Sequence, residues 1–217
     1  MTLKTKALPS KDEESVIALL DTNEDLMKCA AELGCDVGQL LTPLTRFTLR
    51  NPGMPWGIDN GAFARFEEKS FLSLLKREEH HKANCLFVTA PDVVGSARRT
   101  LEVFERWKGR LATWPIALAI QDGQQDLEIP WDEIAAVFVG GSTEFKLSPH
   151  AGHVIKAAKI MGKWAHVGRV NDPARFAYFE ELGADSIDGT GISRYSHMRE
   201  AISKRDNQEK LFAHDGA

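Results

Sequence analysis

Acidic residues follow several apolar segments of the chain, close to the point where each segment ends. Asp59 follows Trp56-Gly57-Ile58, and Asp188 follows the apolar end of a segment near the C-terminus. Crowded carboxylates with little cationic compensation raise one another's pKa, as acid–base catalysis requires. A carboxylic acid working beside an ionised carboxylate is the pair that glycosyl transfer uses. Asp59 and Asp188 are therefore predicted to form an acid–nucleophile pair.

Further polar groups at such ends suit the binding of a flat, polar ligand. Gly140 and Gly141 would expose backbone N–H groups to a carbonyl oxygen. Asp92 and Gln121 can accept and donate hydrogen bonds at an amide-like edge. Together these groups fit the Watson–Crick edge of a purine-like base. Arg169 could bind a phosphate, or could equally form an ion pair at the surface.

Turn formation is the alternative for any one of these residues, because Asp and Gly are among the commonest turn formers. Their repeated occurrence after successive apolar segments favours function, since the carboxyl ends of parallel barrel strands open on one face.

Continuous apolar strands that alternate with helices predict a parallel sheet covered on both faces. No glycine-rich dinucleotide-binding turn follows the first strand, so a compact (β/α)8-type TIM barrel with an irregular first strand is favoured over an open sheet. One or two helices are expected over Glu14–Leu33, ending at Gly34. The predicted strands are Cys35–Leu41, Trp56–Ile58, Cys85–Thr89, Ile116–Ile120, Ala135–Val139, Trp164–Val167 and Ala184–Ile187.

The 217 residues fit one domain, with a loose lead-in over 1–12, a barrel over 13–205 and a loose tail over 206–217. No apolar run reaches the ~18 residues of a membrane span. With no signal peptide, a cytoplasmic location is expected. The net charge of −4 gives no global electrostatic attraction to nucleic acid. The three cysteines lack the spacing of a zinc site, so neither metal nor cofactor is expected.

Five strings in order resemble motifs of the tRNA-guanine transglycosylases. Ile58-Asp59-Asn60-Gly61-Ala62-Phe63 is similar to that family's Asp-Ser-Gly-Gly-Phe motif. Asp92 stands where the family has its base-recognising Asp. The remaining strings are Ile120-Gln121-Asp122-Gly123, Val139-Gly140-Gly141-Ser142 and Asp185-Ser186-Ile187-Asp188.

The resemblance implies a role for each matched residue. Asp188 would be the nucleophile, Asp59 the acid–base residue, and Phe63 would stack on the base. The implied base-binding residues are Asn60, Asp92, Gln121, Gly140, Gly141 and Ser142, with Arg169 as a further candidate for substrate binding.

This sequence departs from the family in one important respect. No cysteine follows Cys85, so the family's zinc module of three cysteines and a histidine is missing. The short, zinc-free chain looks more like the branch that exchanges guanine for 7-deazaguanine bases in DNA of phage and bacterial modification systems. DNA is therefore favoured over tRNA.

The resemblance predicts a pentosyltransferase that exchanges a base in DNA, with nucleic acid and a free purine-like or 7-deazapurine base as partners. A hydrolytic DNA N-glycosylase is the close alternative. Gly189-Thr190-Gly191 before a helix also resembles a barrel phosphate site, which would suit an isomerase or aldolase. A barrel kept as a non-catalytic binding subunit, as a homodimer or with another protein, is the third. His166, inside a strand, is expected to be a satisfied core residue.

Overall fold

The computed structural model describes residues 15–33 and 35–214, and its eight parallel strands close into a barrel. Each strand pairs with the next along the chain, and the eighth pairs with the first. The strands are Ile17–Asp21 (β1), Val37–Leu41 (β2), Trp56–Ile58 (β3), Cys85–Thr89 (β4), Ile116–Ile120 (β5), Ala136–Val139 (β6), Trp164–Val167 (β7) and Ser186–Asp188 (β8). The predicted TIM-barrel fold is confirmed.

Helices cover the outside of the barrel and follow most of the strands. Three of them begin at a serine whose hydroxyl accepts a hydrogen bond from a main-chain N–H of the first turn, and a fourth begins in the same way at Asp172. The helices are Leu26–Leu33 (α1), Glu68–Glu78 (α2), Ala97–Trp107 (α3), Thr143–Lys146 (α4), Pro149–Ile160 (α5), Pro173–Glu181 (α6), Thr190–Arg194 (α7) and Ser196–His214 (α8).

The first strand lies where the sequence predicts helix. Ile17–Asp21 pairs with both β2 and β8, so the prediction of helix over Glu14–Leu33 is wrong except for α1. Ala and Leu are good helix formers, so local propensity does not favour a strand here. The pairing partners decide it, because this segment fills the gap between β8 and β2. Gly34, the predicted helix end, lies outside the described residues.

An extended segment replaces a helix between β2 and β3. The side chain of Gln39 on β2, which is fully buried, holds this segment in place. Its amide nitrogen donates to the Asn51 carbonyl oxygen at 2.7 Å, and its oxygen accepts from the Arg50 and Asn51 N–H groups at 2.8 and 3.1 Å. One side chain thus satisfies three main-chain groups that a helix would otherwise satisfy internally.

The interior of the barrel is filled with side chains. Leu19, Phe87, Ala117 and Ala136 form a buried cluster there. A Cβ atom at Gly57 would lie 2.7 Å from the Phe87 ring, so the strand must carry glycine at that point. Because the interior is packed, a ligand can bind only at the mouths of the barrel.

The C-terminal helix docks against the first helix. The guanidinium of Arg199 on α8 is buried, donates to Glu32 of α1 at 2.7 Å, and donates to the Ile192 and Ser193 carbonyl oxygens at 2.8 and 3.1 Å. The helix continues to His214, so most of the segment predicted as a loose tail over 206–217 is helical. The predicted lead-in, residues 1–12, lies outside the described residues. Within the described part of the chain, no helix combines the length and apolarity needed to cross a membrane.

We expect Gln39→Leu to lower the free energy of unfolding by about 3 kcal/mol, because it leaves buried main-chain groups without partners. Urea unfolding of the variant and the wild type measures the difference. Gln125→Leu, at an exposed glutamine, is the control and should change the stability by less than about 0.5 kcal/mol. Equal stabilities for Gln39→Leu and the wild type would contradict the role given to this side chain.

Candidate active site

A small cavity lies at the carboxyl ends of the strands, and most of the predicted site residues line it. It is bounded by residues from β4, β5 and β6 and from the loops that follow β3 to β7. The lining residues are Asp59, Asn60, Phe63, Thr89, Asp92, Val94, Ala119, Gln121, Phe138, Gly140, Gly141 and Arg169. The structure therefore brings together eight of the ten predicted residues, while Asp188 and Ser142 lie beside the cavity.

Asp188 ends β8 and is held by two hydrogen bonds from the neighbouring strand β7 and its loop. Its Oδ2 lies 3.0 Å from Nε2 of His166, and its Oδ1 accepts from the Arg169 main-chain N–H at 3.2 Å. The side chain is 13% exposed. Both oxygens of this largely buried side chain therefore have hydrogen-bond partners.

Asp59 follows β3 and faces the same mouth. The pKa of Asp59 is raised from 3.8 to about 6. Burial is the largest cause of this rise, and the charge of Asp188 is the second. The Gly61 N–H, which donates to Asp59 at 3.0 Å, opposes this rise. Asp59 therefore carries a proton much more readily than an ordinary aspartic acid.

The two carboxyl groups have different environments. Asp188 has hydrogen-bond partners at both oxygens, whereas Asp59 has one donor and lies within electrostatic reach of Asp188. A pair whose environments separate the protonation states can act as acid and nucleophile in one reaction. The arrangement is suited to proton transfer combined with nucleophilic attack.

Asp92 is held in the cavity by two amide side chains. Asn60 donates to its Oδ1 at 2.9 Å, and Gln121 donates to its Oδ2 at 3.2 Å. Burial raises the pKa of Asp92, and these two donors oppose the rise. Each carboxylate oxygen retains further acceptor capacity, so Asp92 can still accept a hydrogen bond from a ligand.

The amide of Gln121 is occupied by the protein, contrary to the role predicted for it. Its oxygen accepts from the Gly95 N–H at 2.6 Å, and its nitrogen also contacts the Thr100 hydroxyl at 2.6 Å and the Val93 carbonyl oxygen at 3.1 Å. Gln121 is 2% exposed. It therefore shapes the loop that carries Asp92, and Asn60 does the same through its bond to the Ala90 carbonyl oxygen at 2.7 Å.

The Gly140-Gly141-Ser142 loop offers one main-chain donor to the cavity instead of the two predicted. The Gly140 N–H donates to the Ile120 carbonyl oxygen at 2.8 Å within the sheet. The N–H and hydroxyl of Ser142 both donate to Asp122, at 2.8 and 2.6 Å, so Ser142 is turned away from ligand binding. The Gly141 N–H meets no acceptor among the residues that the structure describes.

Arg169 and Phe63 cover the cavity. The guanidinium lies 3.9 Å from the centre of the Phe63 ring and donates to the Gly141 carbonyl oxygen at 2.6 Å. Arg169 has a positive φ of 57°, in the left-handed region that is strained for a residue other than glycine. The 63% exposure of Phe63 places its ring at the outer edge of the mouth.

The cavity measures about 50 Å³, close to the volume of one or two water molecules. A purine base does not fit unless Arg169 and Phe63 move. The structure thus describes a closed form of the predicted base-binding site. A larger cavity of about 600 Å³ lies at the opposite mouth, around Trp164 and the Lys159–Asp185 ion pair, away from the carboxyl ends of the strands.

Sequence reasoning missed three residues near Asp188. Asp21 ends β1, and burial followed by the charge of Asp188 raises its pKa. His166 contacts Asp188 directly. Lys146 is buried, and burial followed by the charge of Arg169 lowers its pKa to about 8. Asp21 could have been found from its sequence, because Ile17-Ala-Leu-Leu-Asp21 repeats the pattern of an apolar run that ends in an acid.

The described residues contain no group of three or more His, Cys, Asp or Glu side chains arranged to hold a metal ion. The ionisable groups at this mouth include carboxylates, one imidazole and two cationic side chains.

No protein-family model and no curated protein matches the chain. Solved structures match its fold. A chain of the Amycolatopsis orientalis BexX/CysO complex has a TM-score of 0.56 at 14% identity, over 97% of this chain and 96% of that chain. The β-methylaspartase of Clostridium tetanomorphum has a TM-score of 0.56 at 12% identity, over 96% of this chain and 62% of that chain.

Phosphoribosyl anthranilate isomerase from Thermus thermophilus is more distant, with a TM-score of 0.47 at 15% identity over 90% of this chain and 99% of that chain. Identities this low establish a shared TIM-barrel fold and carry no argument about the reaction. The class of protein defined here is a TIM barrel with an acidic site at its carboxyl-terminal mouth.

We expect Asp59→Asn to be more stable than the wild type at pH 8, and the difference to shrink at pH 5. A raised pKa means that the folded state binds the proton more tightly, so stability is lost as pH rises from about 4 to about 6. A shift of about two pKa units corresponds to at most about 3 kcal/mol. Urea unfolding at both pH values measures the effect, with Asp126→Asn as the exposed control. A pH-independent difference would contradict it.

Substitution of the two loop glycines should separate folding from ligand binding. A Cβ at Gly140 would make only ordinary contacts, 3.8 Å from the Phe138 ring, and would occupy the cavity. A Cβ at Gly141 would lie 2.5 Å from Asp122 at a φ of +76°. We therefore expect Gly140→Ala to unfold at the wild-type temperature but lose ligand binding, whereas Gly141→Ala lowers the melting temperature. The reverse order of stabilities would refute this assignment.

Proposed function

We propose that this protein is an enzyme that cleaves an N-glycosidic bond in nucleic acid through a covalent glycosyl–Asp188 intermediate. The observation that carries the proposal is the electrostatic coupling of Asp59 and Asp188 in one barrel mouth, where the pKa of Asp59 is raised to about 6 and both oxygens of Asp188 have hydrogen-bond partners. The ordered motifs similar to the tRNA-guanine transglycosylases supply the reaction class.

Two steps follow from this pair. The Asp188 carboxylate attacks C1′ of the sugar, a C1′–O bond forms, and the C1′–N bond to the base breaks. Asp59 gives its proton to the departing base nitrogen. In base exchange, Asp59 removes a proton from an incoming base, whose nitrogen then displaces Asp188 from C1′. In hydrolysis, water takes the place of the incoming base.

The free polar groups of the cavity support a purine-like base with a lactam edge. Asp92 can accept hydrogen bonds from ring and exocyclic N–H groups, and the Gly141 N–H can donate to a carbonyl oxygen. Guanine and 7-deazaguanine-type bases carry such an edge. Gln121, Asn60 and Ser142 support this surface from behind rather than contacting the base.

Substrate entry requires the closed cavity to open. In a duplex, the target base must also leave the stack, as it does for other enzymes that act on bases. Movement of Arg169 off the Gly141 carbonyl oxygen would free the space under Phe63, and the Phe63 ring could then stack on the base face. The guanidinium released in this way would lie at the mouth, where it could meet a phosphate of the nucleic acid.

A sugar-phosphate isomerase or aldolase is the second candidate, favoured by Lys146, a buried amine whose pKa is lowered to about 8. A lowered pKa suits an amine for Schiff-base chemistry. However, Lys146 donates to the Gly168 and Arg169 carbonyl oxygens at 2.7 and 3.3 Å. The Gly191 N–H at the supposed phosphate site donates to Asn171 at 2.7 Å. Both groups are therefore already engaged within the protein.

We expect the wild type to form a covalent adduct with single-stranded or duplex DNA, and Asp188→Asn to form none while keeping its fold. The amide matches the carboxylate in shape but cannot attack C1′ as an anion. Denaturing gel electrophoresis and intact-protein mass spectrometry detect the adduct, with Asp126→Asn as the control. An adduct on Asp188→Asn at the wild-type rate would exclude Asp188 as nucleophile. Borohydride trapping of a sugar phosphate on Lys146 would favour the aldolase.

Exchange and hydrolysis are distinguished with the same DNA, with and without a labelled 7-deazaguanine base. Incorporation of the label without strand breakage on alkali treatment would identify a transglycosylase. Alkali-labile abasic sites formed without added base would identify a glycosylase. We favour exchange, because Asp92 and the Gly141 N–H retain the capacity to bind a second base after the first has left.

A further inference from the structure

A continuous chain of side-chain hydrogen bonds runs up the inside of the barrel to Asp188. Nε1 of Trp164 donates to the Ser186 hydroxyl at 2.8 Å, and this hydroxyl lies 2.8 Å from Nδ1 of His166. Nε2 of His166 lies 3.0 Å from Oδ2 of Asp188. His166 and Ser186 are both fully buried, so water does not compete for these bonds.

The direction of the hydrogen bonds follows from the groups available. The indole N–H of Trp164 is only a donor, so the Ser186 oxygen accepts from it and its own proton is free to point at Nδ1 of His166. The opposite tautomer would place the unprotonated Nε2 against an anionic Asp188 oxygen at 3.0 Å, which is repulsive. Nε2 of the imidazole therefore carries the proton that lies between it and Oδ2 of Asp188.

Aromatic packing fixes the orientation of the imidazole. The rings of Phe87 and Phe138 lie on it with centroid distances of 4.7 Å each, at interplanar angles of 41° and 43°. Gly168 gives Phe138 the room it needs, since a Cβ there would lie 2.7 Å from that ring. The imidazole is held between two rings and two hydrogen bonds, so it cannot turn away from Asp188.

We propose that His166 is a positioning residue for the nucleophile, holding Oδ2 of Asp188 so that Oδ1 attacks the sugar. Oδ1 is bound by the longer contact, 3.2 Å from the Arg169 N–H, and is the less firmly held oxygen. This inference rests on the proposed function, in which Asp188 attacks C1′. His166 is buried with both ring nitrogens engaged, as predicted for a core histidine, and the proposal adds a part in the site to that role.

Both chemical steps depend on the bond to Oδ2. When Oδ1 forms its bond to C1′, Oδ2 becomes the carbonyl oxygen of the ester and still accepts from Nε2. When the ester is broken, the bonding electrons return to Oδ1, and the negative charge is shared with Oδ2. The Nε2–H group binds the carboxylate more strongly than the ester, so it assists the departure of Asp188 in the second step.

Kinetics of three variants test this role. Rapid-quench measurement of adduct formation should show His166→Phe slowed about 10- to 100-fold, as for loss of a hydrogen bond to a charged group. His166→Gln, whose amide can still donate to Asp188, should recover part of the rate. Phe104→Leu, in the outer core, controls for lost stability and should keep the wild-type rate. Equal rates for His166→Gln and His166→Phe would overturn the proposal.

The pH profile separates positioning from simple packing. Without the Nε2 donor, the acidic limb of the rate of adduct formation should move to higher pH, because the Asp188 anion loses a stabilising partner. The other charged groups facing Asp188 are Asp21, Asp59, Lys146 and Arg169, and they are unchanged in the variant. Loss of rate by the same factor at every pH would indicate packing alone and would overturn the proposal.

Nitrogen-15 NMR of the free protein tests the tautomer without substrate. We expect Nε2 of His166 to carry a proton, as a donor to Asp188 must. An unprotonated Nε2 would overturn the inference even if the enzyme forms its adduct. Absence of an adduct in the wild type, with the Nε2–H tautomer observed, would instead refute the proposed function and leave the assigned hydrogen bonds in place.

Discussion

Two buried carboxyl groups in one barrel mouth impose the main constraint on this structure. Burial and the charge of Asp188 raise the pKa of Asp59 to about 6, so a negative charge on Asp59 is disfavoured beside Asp188. The hydrogen bonds that offset this repulsion are unequal, because Asp188 has partners at both oxygens and Asp59 has one donor. This inequality is the basis on which we propose one carboxyl group as the acid and the other as the nucleophile.

The surrounding elements are arranged to maintain this inequality. Strand β7 supplies His166 to Asp188, and the loop after it supplies the main-chain N–H of Arg169. Lys146 donates to the Gly168 and Arg169 carbonyl oxygens and so holds the turn in which Arg169 is left-handed. The Phe87 and Phe138 rings that fill the barrel also orient the imidazole. The rings that pack the barrel interior therefore also orient a hydrogen-bond partner of Asp188, so a change in packing would also change the environment of Asp188.

Local sequence was sufficient for most of the barrel. The strands from β4 to β7 are short, mainly apolar runs bounded by turn residues, and such runs favour buried parallel strands. The same rule failed for Ile17–Asp21, whose Ala and Leu residues are equally compatible with helix. After Leu41 no helix follows the strand, and the Gln39 side chain satisfies main-chain groups of the connecting segment. At both places, partners distant in the sequence determine the local structure.

By itself, the sequence determined which residues end the strands, and so that Asp59, Asp92 and Asp188 face one mouth. All strands of a parallel barrel run in the same direction, so their carboxyl ends lie at one mouth. The sequence pattern alone predicts this arrangement. Only the tertiary structure decided which polar groups remain free, because hydrogen bonds formed across 20 or more residues consume them. The Gln121 side-chain oxygen, for example, accepts from the Gly95 N–H, whereas Nε2 of His166 is brought into contact with Asp188. The residue type determines which hydrogen bonds a group can form, and its neighbours in the fold determine which of these remain available to a ligand.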